Sequence, residues 1–196
     1  MTRILTVIKE MYAPILANAE ADTLSPHGKL AIAQHEKSLA LIPAIFDDLE
    51  LESIVYPRSE LVHRLSKIDL STIDYVISVG GDGTFLDTVQ KISQHLRLTK
   101  AKKNFIPIIG VNSSPLSSVG KLTAADTDTL VPLLKKIISK QVFSQQIYQI
   151  SIEIKGALIN KFALNDILFT HSNPSATSRY LLALNDSDYE FQKSSG

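Results

Sequence analysis

Cysteine is absent from this chain of 196 residues. Its absence excludes disulfides, thiolate zinc sites and cysteine nucleophiles, and it fits a reducing compartment, where disulfides are rare. Long apolar runs that could cross a bilayer are also missing. The first residues, Met1–Lys9, meet charge too early for a secretory signal and are typical of a strand. We therefore expect a cytoplasmic protein without a membrane partner; a mitochondrial location is the alternative, although no transit peptide is recognisable.

An excess of charge of either sign is missing as well. Twenty Lys and Arg balance twenty Asp and Glu, which gives a formal net charge of zero and a pI near 7.0. Nucleic acid is therefore not an expected partner, because it is bound by basic surfaces. Hydrophobic residues make up 44% of the chain, enough to bury the core of one large domain or two small ones.

Several catalytic signatures do not occur. Without a Gly-x-Ser-x-Gly segment a serine hydrolase has little support, and neither a Walker A loop nor a Gly-x-Gly-x-x-Gly dinucleotide motif is present. No His-x-His or His-Glu-x-x-His pair occurs. We therefore expect surface or helix-capping positions, and no metal site, for all five histidines: His27, His35, His63, His95 and His171.

Strand and helix patterns alternate over the first 140 residues. The strand patterns lie at residues 4–8, 52–56, 75–79 and 105–111, and the helix patterns at 29–49, 84–96 and 126–139. Near-continuous apolar runs such as 75–79 are typical of strands buried on both faces of a parallel sheet. Ser25 and Pro26 predict a helix start, and Pro43 predicts a kink or a division into two segments. The order predicts an open parallel α/β domain over residues 1–140.

After Lys140 the strand patterns follow one another without a helix. They cover residues 142–155, 157–170 and 179–184, separated by turn residues. Consecutive strands of this kind predict a partial, antiparallel, β-rich second domain over residues 141–196. The predicted fold class is therefore α/β, with an open parallel sheet first and the start of a β-rich domain second.

One turn concentrates the candidate chemistry: Gly80-Gly81-Asp82-Gly83-Thr84, between the strand at 75–79 and a helix expected to begin near Thr84. Glycine lets a ligand approach the backbone closely, and a helix N-terminus favours phosphate. A carboxylate repels phosphate, so Asp82 is better interpreted as a group that acts on a hydroxyl or helps to hold a cation. An alcohol attacking a nucleotide's terminal phosphate is a kinase reaction. The alternative is an ordinary turn in which Asp82 caps the helix.

The segment Val79–Leu86 resembles the signature of the NAD kinase superfamily, which diacylglycerol and sphingosine kinases share. Gly110-Val111-Asn112 is similar to the family's Gly-Ile/Val-Asn, and Ala163–Ile167 is similar to its Asn-Glu motif, with Asp in place of Glu. Ser113–Ser118 and Ser178-Arg179 are similar to the branch that includes mitochondrial-type NAD kinases. The resemblance covers essentially the whole chain.

The resemblance implies a fold, a reaction and site residues. In the family the turn lies at a cleft between an α/β and a β-rich domain, and ATP with a divalent metal such as Mg²⁺ phosphorylates the 2′-hydroxyl of the adenosine ribose of NAD, giving NADP. Carried over, Asp82 is the catalytic base, and Lys193 stands where the family often has an Arg-x-Asp-Gly turn. The residues that the resemblance assigns to nucleotide binding are Gly81, Gly83, Thr84, Asn112, Asn165, Asp166, Arg179 and Lys193.

Two alternatives to an NAD kinase stay open. A lipid kinase would need an apolar acceptor pocket or a membrane-binding surface. A non-catalytic module would bind nucleotides without turnover, and the resemblance favours it because the family continues past the position of Gly196 into more of the β-rich domain. We also expect a homo-oligomer, because exposed hydrophobic strand edges favour association.

Overall fold

The structure is a computed structural model. It describes residues 1–10, 24–99, 103, 105–173, 175–185 and 187–194, apart from the side chain of Asn160. The chain divides into two compact units, Met1–Leu164 and Asn165–Gly196. The predicted domain boundary near Lys140 stays a prediction.

The first unit contains a five-stranded parallel sheet. In chain order its strands are β1 (Arg3–Ile8), β2 (Glu52–Pro57), β3 (Tyr75–Gly80), β4 (Ile108–Asn112) and β5 (Ala125–Asp126). In space the order is β2-β1-β3-β4-β5, and every neighbouring pair is parallel. The direction of winding reverses between β1 and β3, and open α/β sheets bind ligands beyond the carboxyl ends of the strands at such a point.

Helices connect the strands. Within the described ranges the α-helices are α1 (Pro26–Asp48), α2 (Leu61–Leu65), α3 (Asp82–Leu98) and α4 (Thr127–Ile138), and a 3₁₀ turn lies at Leu70–Thr72. The predicted open parallel α/β architecture is therefore confirmed. None of the helices in these ranges is long and apolar enough to cross a lipid bilayer.

The ends of two helices test the sequence signals. Ser25 caps α1, because its hydroxyl accepts a hydrogen bond from the Gly28 N–H at 3.1 Å. Pro43 lies inside α1, which continues to Asp48 as one helix, so Pro43 does not divide it into two segments; the alternative, a kink, stays a prediction. α3 begins at Asp82 rather than near Thr84, since the last three residues of the glycine turn already belong to the helix and Gly81 is its N-cap.

The core consists of two layers, one on each face of the sheet. Ile4 and Ile77 face one layer with side chains of α1 and α4, whereas Leu5 and Val76 face the other with side chains of α2 and α3. Neighbouring residues of one strand point to opposite faces, so both layers draw on β1 and β3. β3 is thus buried on both faces, as its continuous apolar run predicts.

Antiparallel hairpins follow α4. β6 (Ile150–Ile154) pairs with β7 (Ala157–Ala163) in the first unit, and the turn residues Lys155 and Gly156 have positive φ values of 52° and 77°. Two successive residues with positive φ suit a two-residue hairpin turn. In the second unit β8 (Ser178–Leu182) pairs with β9 (Glu190–Ser194).

These hairpins confirm the antiparallel character of the C-terminal part, but the strands are shorter than predicted. The strand expected over 157–170 ends at Ala163, and residues 142–149 are not a strand. Alternating apolar residues mark a surface suited to pairing, whereas the length of a strand depends on the partner it finds.

The substitution Ile77→Ala tests the burial of β3. Ile77 is 0% exposed, so we expect the free energy of unfolding to fall by about 2–5 kcal/mol, through lost transfer free energy and a residual cavity. Urea denaturation measures the change. The control Val62→Ala lies on α2 with 55% of its surface exposed and should change stability by less than about 0.5 kcal/mol. Equal losses in the two variants would contradict a central, doubly covered β3.

Candidate active site

The glycine turn links the end of β3 to the start of α3. Gly80 closes the strand, Gly81 is extended with φ −103° and ψ −170°, and the helix begins at Asp82. The N–H groups of Thr84 and Phe85 bond to the Gly81 carbonyl at 3.0 and 3.1 Å. The N–H groups of the two residues before them precede the first intrahelical bonds and point away from the helix. This arrangement favours an anionic ligand such as phosphate.

The glycines of the turn serve different purposes. A Cβ atom on Gly80 would lie 2.7 Å from the Thr84 Cβ and 3.1 Å from the Lys9 Cβ, so this position has no room for a side chain. A Cβ atom on Gly83 would meet nothing within 4 Å. Gly80 is therefore required by packing within the protein, whereas the surface at Gly83 is open to a ligand.

The carboxylate of Asp82 is held by a distant part of the chain. Its Oδ2 accepts a hydrogen bond from the Lys121 N–H at 3.0 Å, and its Oδ1 accepts one from the Leu122 N–H at 2.8 Å. No side-chain cap is made at the start of α3. The interpretation of Asp82 as a helix cap is therefore wrong, and the acid instead ties the turn to the loop between β4 and β5.

Asn112 shapes this loop from its beginning. Its side chain is 5% exposed, its Nδ2 donates to the Ser118 carbonyl at 2.9 Å, and its Oδ1 accepts from the Ser114 N–H at 3.0 Å. Gly120 then adopts a φ of +62°, where a Cβ atom would lie 2.5 Å from the Asn112 Nδ2. The loop is thereby folded back towards Asp82. Direct contact between Asn112 and a nucleotide stays a prediction.

His35 is a polar residue of the core that the sequence interpretation placed wrongly. It is 3% exposed rather than on the surface or at a helix end. Its Nε2 lies 2.9 Å from the Lys9 carbonyl and its Nδ1 lies 2.7 Å from the Ser113 Oγ. Burial lowers the pKa of His35, and the charge of Lys9 lowers it further, against a raising effect of the bond to the Lys9 carbonyl. A signal for its burial existed, because His35, Ile42 and Phe46 share one helical face.

The predicted site residues fall into two groups, one in each unit. Gly81, Asp82, Gly83 and Thr84 lie together at the turn, and Asn112 shapes the loop that binds Asp82.

The second group lies in the second unit. Asn165 and Asp166 are exposed neighbours, with Nδ2 and Oδ2 3.5 Å apart. Arg179 and Lys193 are exposed and stand directly opposite each other on β8 and β9. Like charges at a cross-strand pair repel each other, so an anion between them would be favourable.

The fold and the turn define a class of protein. It is an open α/β protein with a glycine-rich turn at a helix N-terminus and a hydrogen-bonded carboxylate, both at the point where the strand order reverses.

Comparison with known proteins gives relatives at 30% identity. They are the NAD kinase of Caldicellulosiruptor saccharolyticus, aligned over 74% of this chain and 49% of the relative, and the NAD kinase of Campylobacter lari, aligned over 70% of this chain and 45% of the relative. A protein of Oryza sativa subsp. japonica named "Probable NADH kinase" is 27% identical over 74% of this chain and 45% of its own length. No family model matches the chain.

The chain belongs to the NAD kinase family. It spans about half the length of the curated relatives that it matches.

Alanine substitutions at two glycines test the geometry of the turn. We expect Gly80→Ala to lower the free energy of unfolding by about 1–3 kcal/mol, because the added methyl group would collide with Thr84. Gly83→Ala should leave the stability unchanged or raise it by up to about 1 kcal/mol, since its methyl group meets open space within a helix. Chemical denaturation of both variants gives the comparison. A larger loss for Gly83→Ala than for Gly80→Ala would contradict this turn.

Proposed function

We propose that the whole protein transfers the terminal phosphoryl group of ATP to the 2′-hydroxyl of the adenosine ribose of NAD, giving NADP. The observation that carries this proposal is the turn at the carboxyl end of β3. There the first residue of α3 is Asp82, so its carboxylate lies beside the free N–H groups of the helix N-terminus. Relatives named NAD kinase or NADH kinase support a nicotinamide dinucleotide, rather than a lipid, as the acceptor.

Asp82 has the chemistry of the base in this reaction. The ribose oxygen forms a bond to the γ-phosphorus, the bond from that phosphorus to the β–γ bridging oxygen breaks, ADP leaves, and the hydroxyl proton passes to the Asp82 carboxylate. Each carboxylate oxygen can accept two hydrogen bonds. The bonds from Lys121 and Leu122 use one on each oxygen, so a lone pair stays available for the ribose hydroxyl.

The backbone of the turn is suited to the phosphates. The N–H groups of Asp82 and Gly83 open the helix, and the surface around Gly83 is free of other atoms, so phosphate oxygens can approach them. In this proposal a divalent metal enters with ATP, bound to its phosphates, and neutralises part of their charge. Among the described residues no three His, Cys, Asp or Glu side chains cluster in a way that could hold a metal ion.

The second unit carries the remaining residues that the resemblance assigns to nucleotide binding. Asn165 and Asp166 offer amide and carboxylate groups at the surface, which suit ribose hydroxyls, and the paired cations Arg179 and Lys193 suit a phosphate.

We further propose that the protein forms a homo-oligomer and is located in the cytoplasm. Exposed apolar side chains before and within the β6–β7 hairpin, including Phe143, support the oligomer, because such a surface favours association with another protein surface.

The substitution Asp82→Asn tests the base. Asparagine keeps the size of the side chain but does not accept the hydroxyl proton, so the rate of NADP formation from NAD and ATP should fall by about 10²–10⁴-fold. The matched control is Asp87→Asn on the same helix, where the carboxylate binds Lys91 at 2.6 Å and plays no part in the proposed chemistry. It should retain the wild-type rate within about twofold. An unchanged rate in Asp82→Asn would remove Asp82 from the mechanism.

The substitution Gly83→Ala tests the approach of the phosphates. The added methyl group occupies the open surface at the start of α3, so we expect the dissociation constant for ATP to rise by about tenfold or more, which corresponds to roughly 1.4 kcal/mol. Isothermal titration calorimetry with the whole protein measures this. An unaltered affinity would show that the phosphates of ATP bind elsewhere.

The non-catalytic alternative is tested with the wild-type protein. Tight NAD binding without any NADP formation would favour a module that binds nucleotides without turnover.

A further inference from the structure

A buried serine–histidine pair joins three elements at the carboxyl edge of the sheet. His35 on α1 contacts the carbonyl of Lys9, which follows β1, and the hydroxyl of Ser113, which follows β4. Both side chains of the pair are nearly inaccessible, at 3% and 2% exposure. A substrate does not reach such a serine, so the pair is not a nucleophile and its base. The pair can therefore act on the site only indirectly, through the positions of the segments that it connects.

The hydrogen bonds around the pair assign its protons. A carbonyl oxygen only accepts, so the His35 Nε2 carries a proton and donates it to Lys9. In the neutral ring Nδ1 is then an acceptor, and the Ser113 hydroxyl donates to it. Protonation of Nδ1 would reverse this bond, so that the Ser113 oxygen accepts and its buried hydroxyl hydrogen loses this acceptor. The neutral ring is therefore the form that fits the structure.

α1 fixes the start of the loop between β4 and β5 through further bonds. The Ser38 hydroxyl donates to the Ser113 carbonyl at 3.0 Å, and the Ser114 hydroxyl donates to the Ala31 carbonyl at 2.6 Å. The Ser113 N–H donates to the Gly80 carbonyl at 3.1 Å, so the same residue also contacts the glycine turn. Ser113 is thus bound both to α1 and to the glycine turn, and Ser114 is bound to α1.

The far end of the same loop binds the candidate base. Lys121 and Leu122 donate their N–H groups to Asp82, and Asn112 connects the start of the loop to its middle by bonds to the Ser114 N–H and the Ser118 carbonyl. We define loop 113–122 as the segment between these anchors. A shift of its start would be passed to the N–H groups that hold the Asp82 carboxylate, because hydrogen bonds connect Ser114 with Ser118 directly and through Asn112, and a short stretch of backbone leads from Ser118 to Lys121.

We propose that His35 is a positioning residue for the phosphoryl-transfer site: through Ser113 it holds loop 113–122, and with it the carboxylate of Asp82, only while its ring is neutral. The catalytic consequence rests on the proposed function, whereas the coupling between His35 and the loop does not. The histidine contacts no atom that would react, so its role is indirect.

The charges near His35 set the direction of the pH dependence. Among the described residues, Lys9 at the end of β1 opposes protonation and Glu36 on α1 favours it, but burial has the largest effect and lowers the pKa of His35 below 6.5. The unfolded chain therefore takes up this proton first. The stabilisation of the folded chain by the neutral His35 ring is complete above about pH 6.5, and it is lost as the pH falls through the pKa of folded His35.

Nuclear magnetic resonance of the wild-type chain tests the coupling without a substrate. Long-range ¹H–¹⁵N correlations should show the Nε2–H tautomer of His35 at pH 7.5. On acidification the amide resonances of Lys121 and Leu122 should shift with the same midpoint as the His35 ring. The Thr129 amide, which also donates to a carboxylate at 2.9 Å, is the control and should not shift at that midpoint.

Variants separate positioning from simple support of the fold. His35→Gln offers a donor and an acceptor that do not titrate, so the shift of the Leu122 amide at that midpoint should disappear. His35→Ala removes both bonds, and the hydrogen-exchange rate of that amide should rise by roughly tenfold. His27→Gln, an exposed position on the same helix, should leave the titration unchanged.

The activity of the whole protein gives the second readout. In the wild type kcat for NADP formation should fall on acidification with the His35 midpoint, and His35→Gln should flatten this limb while KM for NAD changes by less than about twofold. If the amide resonances of Lys121 and Leu122 in the wild type do not shift at the His35 midpoint, the inference is overturned, whether or not a variant folds. Loop amides that follow it in a protein that makes no NADP would overturn the proposed function and leave the coupling standing.

Discussion

The close approach of three chain segments at Gly80 is the constraint on which the site depends. The central strand β3 ends there, the first turn of α3 folds over it, and Lys9 packs from the neighbouring strand, so the position has no room for even a methyl group. The sharp turn that results directs the N-terminus of α3 to the carboxyl edge of the sheet. It also brings Asp82 within reach of the loop after β4, whose two N–H groups compensate a partly buried negative charge.

Local patterns were sufficient to predict most of the first unit. The apolar run Tyr75–Val79 predicted a strand buried on both faces, and Ser25 with Pro26 predicted the start of α1; the structure confirms both. These features depend on residues near in sequence or on the general composition of a buried parallel strand. Pro43 does not divide α1 into two segments, because a proline that removes one hydrogen bond can be outweighed by the packing of a long buried helix face.

The connections across the site depend on contacts distant in sequence, and the sequence patterns did not reveal them. Asp82 meets partners 39 and 40 residues further along the chain, and His35 meets Ser113 across 78 residues. A histidine within an apolar stripe fits both a surface position and a satisfied core position until its partners are known. The glycine turn could be found because its residues are consecutive, whereas the loop that completes it is defined only by the folded sheet.

In the proposed reaction this edge of the sheet transfers a phosphoryl group to a ribose hydroxyl. ³¹P nuclear magnetic resonance of the whole protein with ATP, Mg²⁺ and NAD tests this proposal, because it identifies the atom that receives the phosphate. We predict loss of the γ-phosphate signal of ATP and a new phosphomonoester signal coupled to the 2′-proton of the adenosine ribose. Hydrolysis of ATP to free phosphate, or a phosphate on any other position of NAD, would contradict it.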